Sequence, residues 1–246
     1  MAMGRLAGIP VMRQTWANIV WCHWRIEPSV MAALLPEGLV PDLFDGDAWV
    51  GLIPFSMQDL RLPGPLRWIS RLVHVGDFGE VNVRTYVRGP DGGTGVWFFS
   101  LDADAWLAVK TANVAFGLPY RHARTSFRRN GPQITWTDDV KRAGTHASLV
   151  VRTSDDAPRT ALPGLEAFLV ERYALYTLRG KRLYRGELRH QSWRVRTADA
   201  LTLDAGVVGD AGLAPEGAPH VLVGEPVDVT VYPLTRVRAQ TTANAG

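Results

Sequence analysis

The chain predicts an α+β fold dominated by antiparallel β structure, and three observations carry that expectation. Short segments rich in β-branched and aromatic residues recur along most of its length. Turn pairs such as Asp45-Gly46 and Asn130-Gly131 punctuate them. Only three stretches repeat apolar residues at the three- and four-residue steps of a helix.

Taken in order, residues 12–25 are rich in tryptophan and β-branched side chains and read as a strand. Pro28 opens a helix with Glu27 near its cap, and Val30, Met31, Leu34 and Leu35 share one face before Pro36 ends it. Residues 39–42 and 48–55 form a hairpin about Asp45-Gly46. Pro63, Gly64 and Pro65 mark a loop or lid within 60–72. Residues 78–87 are the clearest strand, and 96–102 return from a Gly/Pro/Asp turn.

Residues 104–116 have helical spacing in Trp106, Val109 and Val114, with Gly117 as the stop. Three short strands fill 124–153. A third helix is expected over 163–178, where Leu165, Phe168, Leu169, Arg172 and Tyr176 recur helically before Gly180. A long strand at 183–197, an ambiguous stretch at 201–213 and a last strand at 221–233 follow, and the tail past Arg238 should fray.

A chain of 246 residues fits one β barrel or sandwich, so a single domain over 1–246 with a core of about 10–235 is expected. Apolar residues at 46% and charged residues at 21% exclude a disordered class. Cys22 is the only cysteine, so no intrachain disulfide can form. The first dozen residues lack the long apolar core of a signal peptide, and a cytoplasmic location is expected. No apolar run approaches the ~20 residues of a membrane span. Net charge is +3, with the basic residues scattered. One cluster, Arg121, Arg124, Arg128 and Arg129, leaves a nucleic-acid or other polyanion face as an alternative to a solvated surface.

Five segments occur in a telling order. They are LLPEGLVPDLFDGDAWVGLIPF at 34–55, FGEVNVRTYV at 78–87, WFFSLDADAWLAVKTANVAFGLPYRHA at 97–123, FLVERYALYT at 168–177 and RGELRHQSW at 185–193. This order resembles the YqjF-like family of the acetoacetate decarboxylase-like superfamily. The resemblance spans about 10–235. It implies a cone-shaped antiparallel β-barrel flanked by about three helices, with the active cavity inside the cone.

It also implies a departure. In acetoacetate decarboxylase the segment matching 117–122 carries, directly after its proline, the lysine that forms an imine with the ketone. Here Tyr120 and Arg121 follow Pro119, and neither side chain can form a stable imine. Lys110 would have to point inward from its helix to substitute, whereas Lys141 and Lys181 read as surface residues.

The remaining chemistry is acid/base and anion binding. Glu80, Asn82, Arg84 and Tyr86 alternate with Val81, Val83, Thr85 and Val87, so the polar set shares one strand face. That face either lines the cavity or meets water with a modest ion pair. The resemblance sets Glu80 near a functional glutamate of the decarboxylases. His190 is the best acid/base candidate by ordinary pKa, against a structural role. Arg172 on an apolar stripe is an internal ion pair or an anion contact, and Tyr176 shares its segment. Tyr120 either donates to a substrate oxyanion or is a wall aromatic. The candidate catalytic residues are therefore Glu80, His190 and Tyr120, with Arg84, Arg25, Asn82, Tyr176 and Arg172 binding substrate.

No metal is expected, since the histidines lack ligand spacing. No nucleotide cofactor is expected either, since no Gly-rich loop opens a helix. The sequence points to a cofactor-independent lyase, dehydratase, isomerase or cyclase of secondary metabolism acting on a small carbonyl, carboxylate or polyketide-like compound. A non-catalytic binding protein using the same cavity is the alternative. Assembly into a homo-oligomer is left open.

Overall fold

The strands at 20–26, 48–55, 78–88 and 95–103 bury both faces, and each face belongs to a different core. The computed structural model describes residues 8–62, 77–105, 116–140 and 144–238. The loop expected around Pro63, Gly64 and Pro65, nearly all of the helix expected at 104–116, Lys110, Lys141 and the tail beyond Arg238 lie outside the described residues.

The chain begins with β1 (Met12–Ala17), β2 (Val20–Ile26), α1 (Pro28–Ala33), β3 (Val40–Pro41), β4 (Ala48–Arg61), β5 (Phe78–Arg88) and β6 (Thr94–Ala103). Then come β7 (Tyr120–Asn130), β8 (Gln133–Val140), β9 (Thr145–Thr153), α2 (Gly164–Val170), β10 (Ala174–Arg179) and β11 (Arg182–Arg189). It closes with β12 (Val195–Ala205), α3 (Gly206–Gly209), β13 (His220–Gly224), β14 (Val227–Val231) and β15 (Thr235–Arg236). The strands form one mixed sheet, mostly antiparallel, with β6 parallel to both β7 and β10.

The pairings close on themselves. One circuit runs β1–β14–β11–β10–β6–β5–β4 and back to β1. A second leaves β6 through β7, β8, β9, β12, β13 and β2 and returns by β4 and β5. Strands β4, β5 and β6 are therefore a wall shared by two barrels. Ile53, Phe55, Phe98, Leu101 and Leu188 pack in the core of the first circuit. Leu52, Val81, Val83, Ile134 and Leu149 pack in that of the second. Burial of each such side chain stabilises the fold by about 1.5–3 kcal/mol.

Local chemistry sets the breaks. Glu27 caps α1 by accepting from the backbone N–H groups of Ser29 and Val30. Asp45 and Gly46, both at positive φ, turn the chain so that Phe44 and Asp47 exchange backbone hydrogen bonds.

Five expectations are corrected. Residues 40–41 pair with β5 and not with 48–55, so Asp45-Gly46 closes only the isolated Phe44–Asp47 bridge. The strand at 12–25 is two strands, divided where Asn18 takes a φ of 55° and donates to Ser56 Oγ at 3.1 Å. The helix over 163–178 ends at Val170, and Tyr176 lies on a strand. Residues 174–179 instead pair with β11 across a turn at Gly180, so hairpin and parallel pairings outweigh the helical spacing. The strand at 183–197 stops at Arg189, leaving His190 in an irregular joint before β12. The last strand is two, β13 and β14, followed by the short β15.

Candidate active site

Glu80, Asn82 and Arg84 occupy every second position of β5, so the pleat aims them the same way, into the first circuit. There they line a cavity of about 360 Å³ together with Tyr120, Arg172 and His190. Apart from Gln14 and Glu187, the remaining wall is apolar and aromatic, including Trp16, Phe55, Phe98 and Trp193. Six of the eight residues predicted from the sequence thus meet in one cavity.

Glu80 is 2% exposed. Burial pushes its carboxyl up to about 8, against hydrogen bonds from Tyr120 and Asn82 that favour the charged form. Tyr120 Oη donates to Glu80 Oε2 at 3.1 Å. At neutral pH Glu80 is therefore a carboxylic acid that can donate a proton. Burial, then the adjacent Glu80, raises the Tyr120 phenol well above its ordinary range, so it stays protonated.

Arg84 is 8% exposed and its Nη2 donates to the carbonyl of Leu169, near the end of α2, at 3.3 Å. Among the described residues its Nε has no partner, and no carboxylate lies within ion-pairing distance of it. Arg172 is also buried, but its charge is answered: Nη1 meets Asp42 Oδ2 at 2.7 Å and Nε donates to the Phe168 carbonyl at 2.6 Å. Both guanidiniums lie by the ring of Tyr86, at 5.7 Å for Arg84 and 4.8 Å for Arg172.

His190 stacks on Tyr173 at 4.6 Å between centroids. Its Nδ1 lies 2.6 Å from the Gln191 carbonyl, which can only accept, so the hydrogen-bond network assigns the proton to Nδ1. In that tautomer Nε2 carries the lone pair, and the Arg172 carbonyl also lies near the ring. Burial lowers the pKa of His190, with the Gln191 carbonyl and Glu171 opposing, so the ring is neutral at pH 7.

Two predicted residues stand elsewhere. Arg25 faces outward, its side chain 70% exposed, with Asp47 at 3.3 Å and the Trp49 ring at 5.5 Å. It shares the strand face of Trp21, which lines the cavity, but lies four residues farther along β2, past the cavity wall. Tyr176 is buried in a separate small cluster with Leu39 and Val87, and its hydroxyl donates to Asp91 at 2.7 Å. Its placement follows from the strand that replaces the expected helix.

Gln14, Trp16, Tyr86 and Trp193 were not among the predicted site residues. Met12, Gln14 and Trp16 alternate on β1, and a buried glutamine within such a series is the signal that points inward. Among the described residues the amide oxygen of Gln14 and the indole N–H of Trp16 have no partner, nor does Asn82 Oδ1.

Arg121, directly after Tyr120, points to the opposite side. It grips Asp102 with Nε at 2.5 Å and Nη2 at 2.6 Å, and its Nη1 meets Asp210 at 2.5 Å. Its fork is thus filled from within, whereas Arg124, Arg128 and Arg129 remain exposed. Lys181 is exposed in the β10–β11 turn. Among the described residues no group of three or more His, Cys, Asp or Glu is placed to hold a metal ion. Nor is any described helix long and apolar enough to cross a membrane.

Comparison with known proteins agrees with this architecture. The model of the family DUF2071, an uncharacterized conserved protein, matches residues 13–228. The uncharacterized protein YqjF of Bacillus subtilis strain 168 is 35% identical over 232 residues, covering 93% of each chain. Among solved structures, the acetoacetate decarboxylase of Legionella pneumophila superposes with a TM-score of 0.67 at 13% identity, covering 97% of this chain and 91% of that one. The enduracididine biosynthesis enzyme MppR complexed with pyruvate gives 0.64 at 15% identity, covering 96% and 93%. At those identities the structures establish the fold.

Proposed function

The chain belongs to the DUF2071 family, and from that premise we propose that it is an enzyme that moves protons on a carbonyl- or carboxylate-bearing small molecule inside the first barrel, without a Schiff-base lysine. One observation carries the proposal: Glu80, a buried acid that keeps its proton, shares a strand face with Arg84, a buried cation without a carboxylate partner among the described residues. The first can protonate a carbonyl or enolate oxygen, and the second can hold the negative charge that develops there. His190 Nε2 is the base that removes a proton next to the carbonyl, and Tyr120 orients Glu80. MppR, of the same fold, is known with pyruvate bound, which supports a keto acid as starting probe. Enolisation of this kind underlies lyases, dehydratases, isomerases and cyclases alike, and secondary metabolism is the setting we assign. The lone Cys22 is buried and its thiol is pushed up by burial, consistent with the reducing cytoplasm we favour.

The test is solvent exchange. Keto acids incubated with the protein in deuterium oxide should exchange the protons next to their carbonyl, followed by NMR. Glu80→Gln should slow that exchange by about 10²–10⁴-fold while leaving binding intact. A second assignment, a binding protein that has lost catalysis, is favoured by the ties of Glu80 to Tyr120 and Asn82. Binding by the wild-type protein with no exchange of any probe would establish it instead.

A further inference from the structure

The charges around the cavity nearly cancel in pairs. Arg172 is met by Asp42 at 2.7 Å. Glu187, which lines the wall, is met by Arg185 at 2.5 Å. Glu80 carries its proton at neutral pH. Among the described residues Arg84, 8% exposed, is left as a cation with no carboxylate within ion-pairing distance, since Glu171 beside His190 is taken up by Tyr173 and the Trp193 N–H. A buried charge without a partner is costly. The cavity therefore calls for one negative charge.

Its polar atoms set the rest of the pattern. Asn82 Oδ1, two residues along the same face, is a buried acceptor without a partner among the described residues, as is Gln14 Oε1 across on β1. Positions two apart on a strand are separated by roughly 6.5–7 Å. The remaining surface is dominated by aromatic rings. Trp16 packs against Phe55 at 5.4 Å between centroids and lies nearly parallel to Trp193, at 6.4 Å and 15°. A volume of about 360 Å³ falls at the lower end of the roughly 300–1,000 Å³ of ordinary small-molecule sites. A keto acid the size of pyruvate would reach Arg84 but leave most of the aromatic wall untouched.

We infer that the ligand is an amphipathic monoanion: one carboxylate or enolate on Arg84, a hydroxyl or N–H donor on Asn82, and a ring-bearing apolar body against Trp16, Phe55, Phe98 and Trp193. The inference rests on the cavity being the working site, and it narrows the substrate class to aromatic or alicyclic acids.

The probes are naphthalene-2-carboxylate, naphthalene-2-carboxamide and pyruvate, titrated against the intact protein by tryptophan fluorescence. The carboxylate should bind at least tenfold more tightly than either of the others. Arg84→Met should erase the difference between carboxylate and amide while the amide still binds, with a melting curve confirming that the variant folds. If that variant fails to fold, Arg84→Lys, which keeps the charge, should retain a preference for the carboxylate. Equal binding of carboxylate and amide by the wild type, pyruvate binding as tightly as the naphthoate, or no binding of the naphthoate each overturns the inference. The two assignments fail separately. Exchange of pyruvate that depends on Glu80, without naphthoate binding, keeps the proposed chemistry and discards the ligand class. Naphthoate binding that depends on Arg84, with no proton exchange in any probe, does the reverse.

Discussion

The hydroxyl of Tyr120 donates to Oε2 of Glu80 at 3.1 Å, joining the first residue of β7 to the buried face of β5. That bond favours the carboxylate form of Glu80, whereas burial favours the acid and prevails. Tyr120→Phe should therefore push the Glu80 pKa above its value of about 8. A hydrogen bond to a charged group contributes about 1.5–3 kcal/mol, which corresponds to an upward shift of about one unit or more. The infrared carbonyl band of the neutral acid, isolated by subtracting the Glu80→Gln spectrum, follows the titration. A downward shift, or none, would show that Tyr120 does not hold Glu80.

Glu80 also tilts the stability of the whole fold with pH. In the unfolded chain its carboxyl titrates near 4.5, and in the folded chain near 8. Between those values the folded state binds the extra proton, so stability falls as pH rises through this window and levels off above it. Glu80→Gln removes that contribution. The variant should match the wild type near pH 4 and exceed it above pH 8 by an amount on the order of several kcal/mol. Urea midpoints at the two pH values test this, and parallel profiles for the two proteins would contradict it.

Much of this site is legible in the sequence because a strand face is a period of two. Glu80, Asn82 and Arg84 needed only alternation to be grouped, and the barrel places the polar face inward. Tyr120 was reached through the position that a lysine holds in the resembling decarboxylases. Arg25 and Tyr176 misled for different reasons. Arg25 follows Trp24 in an almost wholly buried strand, and nothing local shows that its side chain turns outward to Asp47. Tyr176 fell on a helical spacing that β11 and β6 override by pairing. The pairing of Arg172 with Asp42 joins residues 130 positions apart, and no local pattern encodes a contact at that separation. The same holds for the two closed circuits, which only the registers reveal.

The second barrel contains its own buried charge cluster. Asp138 lies near Asp102, and among the described residues its buried carboxyl oxygens have no hydrogen-bond partner. Burial, then the charge of Asp102, pushes the Asp138 carboxyl up, so Asp138 is the neutral member of the pair. Arg121 neutralises Asp102 and reaches Asp210, tying β6 and β7 to the chain beyond α3. Arg121→Met leaves those acids without their cation and should destabilise the protein by about 3 kcal/mol. That is the low end for a buried pair, because a quarter of the Arg121 side chain is exposed. Asp138→Asn should cost far less, since an amide replaces a group that is already neutral. Urea denaturation at pH 7 compares the two, and a larger loss for Asp138→Asn would mean that Asp138 is charged.

Tyr86 anchors the cation of the cavity from behind. Its hydroxyl donates to the Leu169 carbonyl at 2.7 Å, the same oxygen that accepts from Arg84. That commits its only proton, so His23 Nε2, 2.6 Å away, must be the donor to the tyrosine oxygen. His23 is neutral, because burial, assisted by Arg84 and His220, depresses its pKa well below the ordinary value. Tyr86→Phe removes both bonds at once and leaves the His23 N–H buried without an acceptor. The expected destabilisation is about 1–3 kcal/mol. Because the Leu169 carbonyl is shared, the change should also loosen Arg84 and weaken binding of naphthalene-2-carboxylate more than that of its amide. A double-mutant cycle with Arg84→Met isolates the link, with a coupling of about 0.5 kcal/mol or more for side chains in one network. Additive losses would show that Tyr86 supports the fold without positioning Arg84.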